Sequence, residues 1–161
     1  MSRLICTVFG LGYLRPAPGT WASLVAVLVA WGIDRALGFP ALALATCAVT
    51  ALGFWAVGRA LSGKTGHDPS EFVIDEVAGQ WVALLASSAA FWVHGGVMPW
   101  PAPLAAFVFF RFFDIVKPGW VGRADRRGDA AGVMIDDLWA GVFAALASIV
   151  AAGLYHGFMA L

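Results

Sequence analysis

The chain has 161 residues, 61% of them hydrophobic and only 12% charged, and its mean hydropathy is +0.82. An average soluble domain is about 45–50% apolar and about 25% charged, so the composition excludes an ordinary water-soluble domain and points to lipid as the solvent. Ten basic and ten acidic residues cancel, and net charge gives no reason to expect a nucleic-acid partner. Cys6 and Cys47 are the only cysteines. They form no metal or redox spacing, and read as small buried hydrophobes.

In chain order, the start has Arg3 and then an apolar stretch broken by Gly10, Gly12, Pro16 and Pro18. It lacks the long apolar core of a cleavable signal, so the N-terminus is expected to be mature. A bilayer span takes roughly 20 mainly apolar residues. The clearest spans are 40–57, 72–93 and 138–159. The stretch 21–33 is shorter, to be completed by Pro18-Gly19-Thr20 or partly re-entrant, and 103–116 is short and Phe-rich. The expectation is an all-α, polytopic membrane helix bundle of about five segments, residues 1–161 forming one domain.

Lys and Arg collect in cytoplasmic loops. With a cytoplasmic N-terminus and five crossings, Arg3, Arg15, Arg59, Lys64, Lys117, Arg123, Arg126 and Arg127 share the inside, and Arg35 alone lies outside. The acidic residues divide the same way. Asp75-Glu76 lies one turn into the third segment, Asp114 closes the fourth, and Asp136-Asp137 is expected to open the fifth. All then reach one depth at the cytoplasmic face.

Carboxylates in membrane segments are costly and mark functional sites by default. Each group also has a plainer reading. Asp136-Asp137 would complement a helix dipole, and Arg111, Asp114 and Lys117 at i, i+3, i+6 would form an ion-pair ladder. Taken together, the acids repel one another unless a divalent cation relieves them, and Mg²⁺ prefers such oxygen ligands alongside substrate phosphate. Arg111, by a bidentate fork, and Lys117, as a point charge, are the candidate phosphate ligands. Arg123, Arg126 and Arg127 read as facing anionic headgroups, and His67 as a solvated loop residue.

The stretch from Gly10 to Thr20 is either a loop before a helix or a phosphate cradle, with Thr20 the candidate contact. It is not a nucleotide signature. There is no cysteine-phosphatase loop, no histidine metal cluster and no Gly-x-Ser-x-Gly elbow. Metal-assisted hydrolysis by carboxylates remains.

Four blocks carry a family resemblance. They are Gly10-Leu11-Gly12 with Pro16-Ala17-Pro18-Gly19-Thr20 and Ser23-Leu24, then Val73-Ile74-Asp75-Glu76-Val77-Ala78-Gly79, then Phe110-Arg111-Phe112-Phe113-Asp114-Ile115-Val116-Lys117-Pro118, and Gly132-Val133-Met134-Ile135-Asp136-Asp137-Leu138-Trp139-Ala140-Gly141. In this order the chain resembles the phosphatidylglycerophosphatase A family of bacterial membrane lipid phosphatases. It departs from the family pattern at Ala22, where Gly is usual, and at Gly119-Trp120.

The resemblance implies Mg²⁺-dependent removal of the terminal phosphate of phosphatidylglycerophosphate. It also implies a multi-pass protein of the bacterial cytoplasmic membrane, with its site on the cytoplasmic side and no obligate protein partner. Asp75, Glu76, Asp136 and Asp137 are then the expected Mg²⁺ ligands. The nucleophile is either a water or a carboxylate, Asp114 or Asp136. The rival reading is a small ion-coupled transporter or channel subunit, which predicts acids near mid-membrane. A lipid-headgroup transferase would need an Asp-rich signature that is not visible.

Overall fold

The computed structural model describes residues 1–62 and 69–159, and every regular element among them is helical. Lys64 and His67 lie outside the described residues. In chain order the elements are α1 (Ser2–Cys6), a 3₁₀ turn (Leu11–Tyr13), α2 (Pro18–Ala60), α3 (Ile74–Trp92), α4 (Ala102–Val116), α5 (Trp120–Asp125) and α6 (Ala130–Met159).

The two segments expected at 21–33 and 40–57 are arms of α2, which is continuous except at Gly38, where φ is 78° and ψ is −177°. Only glycine takes that conformation without strain, and a Cβ there would also run into the Trp92 ring. Pro40 then opens the second arm, a position where a missing N–H costs nothing.

The contacts of the two arms fix their directions. Gly19 lies against Glu76, the Trp81 indole N–H donates to the Ala26 carbonyl at 2.9 Å, and Asp34 meets Ser88. The first arm therefore runs beside α3 and in its direction for its full length. The second arm returns, because Gly53 packs on Ile74 and Met134.

A buried staple closes the far end of the bundle. Asp34 accepts from the Ser88 hydroxyl and from the Met98 N–H, the latter at 2.7 Å. Nearby, the Trp31 indole donates to the Met98 carbonyl at 3.0 Å.

Helices α3 and α6 approach at two glycines. Gly79 sits on the Asp137 carbonyl and Gly141 on the Gly79 carbonyl, with no room for a Cβ at either. Small residues at such crossings let backbones close together. Ala26, Ala30, Ala83, Ala106, Ala140 and Ala144 fill the interior around Leu42, Leu84, Met98 and Phe110. Much of the outer surface is apolar, including Leu28, Leu44, Val108, Ile115, Ile149 and Leu154, while Ser23, Asp34, Gln80 and Ser88 are buried.

Two boundaries differ from expectation. The last helix starts at Ala130, not at Leu138, so Asp136-Asp137 lies in its second turn rather than at its opening. Asp129 explains the early start, since its carboxylate accepts the Gly132 N–H at 2.7 Å, a standard way to satisfy a helix's first donors. The connection after Lys117 also contains α5 rather than being loop throughout. Among the described residues two helices, α2 and α6, are long and apolar enough to cross a membrane.

Candidate active site

Four helix ends meet at one end of the bundle. The first turns of α2 and α3, the last turn of α4 and the second turn of α6 each deliver a charged or close-packed residue. The entry to α3 is pinned from outside. The Val73 N–H donates to the Cys6 carbonyl at 2.8 Å, and Arg3 pairs with Glu71 at 2.9 Å.

From the first turn of α3, Asp75 and Glu76 project beside Asp137 of α6, and one carboxylate oxygen from each lies within 4.8 Å of the others. Asp75 and Asp137 are buried, and the Oε2 atom of Glu76 is sealed from solvent without a hydrogen-bond partner. Three such groups on adjoining helices form a compact set of hard oxygen donors. That chemistry fits a divalent cation such as Mg²⁺.

Asp136 turns another way. Its Oδ2 accepts from Lys117 Nζ at 2.8 Å, and the same ammonium bonds Asp125 on α5. Lys117 adopts a left-handed conformation, φ 49° and ψ 53°, at the end of α4, where the chain leaves the helix, and its ammonium reaches Asp125 and Asp136. Partial burial pulls the ammonium's pKa down, but its bonds to Asp125 and Asp136 outweigh that and hold it above the usual lysine range.

Arg111 and Asp114, one turn apart on α4, form the ion pair their spacing predicts, at 2.7 Å. Asp114 also approaches Asp137 and Glu76. Arg111 Nε has no hydrogen-bond partner, and Nη1 touches Asp114 without donating to it in good geometry. Gly19, in the first turn of α2, fits where a Cβ would strike the Glu76 carboxylate and stand 3.4 Å from Arg111 Nη1. Thr20 stands half-buried on the same turn.

The predicted site residues thus form two adjoining groups. Asp75, Glu76 and Asp137 make a carboxylate centre flanked by Asp114 and Arg111, and Asp136 with Lys117 makes a neighbouring ion pair. Sequence reasoning passed over Gln80, Asp125 and the space kept by Gly19. Of these, Gln80 left a signal, as an amide inside an otherwise apolar run.

The phosphatidylglycerophosphatase A family model matches residues 4–152. The chain is 32% identical over 145 residues to phosphatidylglycerophosphatase A of Haemophilus influenzae, covering 89% of this chain and 84% of that protein. With the Escherichia coli protein of the same name it shares 32% identity over 144 residues, 89% and 78% of the two chains. A Bacteroides thetaiotaomicron protein with the provisional name phosphatidylinositol-3-phosphatase is 37% identical over 155 residues, 92% of this chain and 91% of that one. No solved structure matches the chain.

Proposed function

Since the chain belongs to the phosphatidylglycerophosphatase A family and is a phosphatase, we propose that it hydrolyses the terminal phosphate of phosphatidylglycerophosphate to give phosphatidylglycerol. The observation that carries this reading is the convergence of Asp75, Glu76 and Asp137 beside an arginine with unpartnered N–H groups. Arg111 and Lys117 would receive the phosphate, and the first turn of α2 at Gly19 and Thr20 would turn its backbone N–H groups toward the anion.

Asp75, Glu76 and Asp137 would hold Mg²⁺. When bound, the ion would neutralise phosphate charge and make a neighbouring water more acidic. Overall, the bond from phosphorus to the glycerol oxygen breaks, a water oxygen takes its place on phosphorus, and the leaving oxygen regains a proton. Asp114 keeps Arg111 oriented, while Asp136 holds Lys117 in position. Asp114 or Asp136 acting as a direct nucleophile is the variant of this scheme to be separated from attack by water.

The protein would cross the bacterial cytoplasmic membrane several times, with the site on the cytoplasmic side. Its largely apolar exterior, with Ser23, Asp34, Gln80 and Ser88 buried within the bundle, supports this, because a contiguous apolar surface of that extent suits lipid. The carboxylates sit at one end of the bundle rather than midway, which is unlike the placement an ion-coupled transporter needs.

The test is phosphate release from phosphatidylglycerophosphate by purified protein in detergent, with Mg²⁺ and then with EDTA. A phosphoinositide monophosphate run in parallel would decide between the substrates that the relatives' names suggest. Release that requires Mg²⁺ and is strongest on phosphatidylglycerophosphate is expected. A folded protein that releases nothing from either lipid would overturn the proposal.

A further inference from the structure

Gln80 is fully buried, and neither its Nε2 nor its Oε1 finds a hydrogen-bond partner. Burying an amide without partners is unfavourable, so this side chain calls for an explanation. It lies one helical turn beyond Glu76 on α3, and residues four apart share a helix face. Side chains on a helix lean toward its N-terminus, and the N-terminus of α3 is the end that carries the site. Gln80 therefore leans toward the underside of Glu76.

Glu76 Oε2 and Arg111 Nε are also buried without a partner, as is Arg111 Nη1 apart from its contact with Asp114. The other oxygen of Glu76, Oε1, and Arg111 Nη1 both come within 3.4 Å of the point where a Cβ on Gly19 would stand, so the two side chains reach the same place. The set comprises donors from Gln80 Nε2 and Arg111 Nε, and acceptors at Gln80 Oε1 and Glu76 Oε2. A water molecule that accepts from Gln80 Nε2 and Arg111 Nε and donates to Glu76 Oε2 would give a partner to one group on each of the three side chains. Buried waters characteristically bind where several polar groups would otherwise be left unsatisfied.

We infer that Gln80 is a positioning residue, which fixes the Glu76 carboxylate and the Arg111 guanidinium from below through one shared buried water. The inference rests on the proposed reading of Asp75, Glu76 and Asp137 as the reacting centre. Gln80 itself touches neither substrate nor cation. It sets the angle at which Glu76 presents its other oxygen, and keeps Arg111 from collapsing onto that carboxylate.

Gln80→Met keeps size and flexibility but removes both hydrogen-bonding atoms. If Gln80 positions Glu76, this variant should lower kcat about tenfold with KM for the lipid nearly unchanged, since a small misplacement of a catalytic group costs about that or more. It should also raise several-fold the Mg²⁺ concentration needed for half-maximal thermal stabilisation, a readout that involves no turnover. Gln80→Glu, which retains an acceptor and a carboxyl able to carry one proton, should recover part of kcat.

An idle amide predicts the reverse. Gln80→Met would then melt at a higher temperature, because a buried unpaired group has been removed, and both kcat and the Mg²⁺ response would stay at wild-type values. That result, with the wild type active, overturns the inference and leaves the phosphatase reading intact. An inactive wild type would instead remove the reading on which the inference stands.

Discussion

Asp136 and Asp137 are adjacent in the chain, yet successive side chains on a helix point about 100° apart, and the two acids meet different neighbours. Asp137 joins Asp75 and Glu76, whereas Asp136 is spent on Lys117. The sequence suggested that both acids reach one end of the bundle but not this division, which depends on how α6 is rotated against α3. That rotation follows from the contact of Gly79 with the Asp137 carbonyl. The separation predicts unlike mutants. Asp75→Asn and Asp137→Asn should abolish turnover and also lose the thermal stabilisation that Mg²⁺ confers. Asp136→Asn should keep that stabilisation and lower kcat about ten- to a hundredfold, through a displaced Lys117. Melting curves with and without Mg²⁺, beside turnover, separate the two. Loss of the Mg²⁺ response in Asp136→Asn would place it among the ligands after all.

At the scale of elements, the bundle is held at both ends by quite different means. The site end is crowded with charge, and the far end relies on Asp34, a buried acid that accepts from Ser88 and from the Met98 N–H. Asp34→Ala should cost about 1–3 kcal/mol of stability by leaving those donors unpaired. It should leave kcat per folded molecule unchanged, as measured by denaturation and assay of the same detergent sample. A fall in kcat with unaltered stability would mean the two ends are coupled.

The interruption between the first two segments was legible from the break before Pro40, and the Arg111–Asp114 pair from its spacing. Lys117 escaped the same spacing argument, because α4 stops at Val116 and the chain turns left-handed. The start of α6 escaped too. Gly128, Asp129 and Gly132 read as loop residues, but Asp129 caps the helix and Gly132 lets it press on the Ala124 carbonyl. Nothing local in the sequence reveals a contact with α5.

For the whole molecule, the directions of the helices carry a prediction about sidedness. The first arm of α2, α3 and α6 all start at the site end, and α4 finishes there. The described residues Arg3, Arg15, Arg59, Arg123, Arg126 and Arg127 flank those helix ends, whereas Arg35 stands alone at the other end beside the Asp34 staple. Positive charge is retained on the cytoplasmic side, so the site should face the cytoplasm and the turn between α3 and α4 should face out. His94 in that turn and Arg126 after α5 are both exposed. In a chain with Cys6 and Cys47 replaced by alanine, His94→Cys should react with a membrane-impermeant maleimide added to intact spheroplasts. Arg126→Cys should react only after the membrane is opened. The reverse pattern would invert the orientation and put the lipid phosphate on the outer leaflet. Equal labelling of both from outside would place the two bundle ends on one side, and the multi-pass arrangement would fail with it.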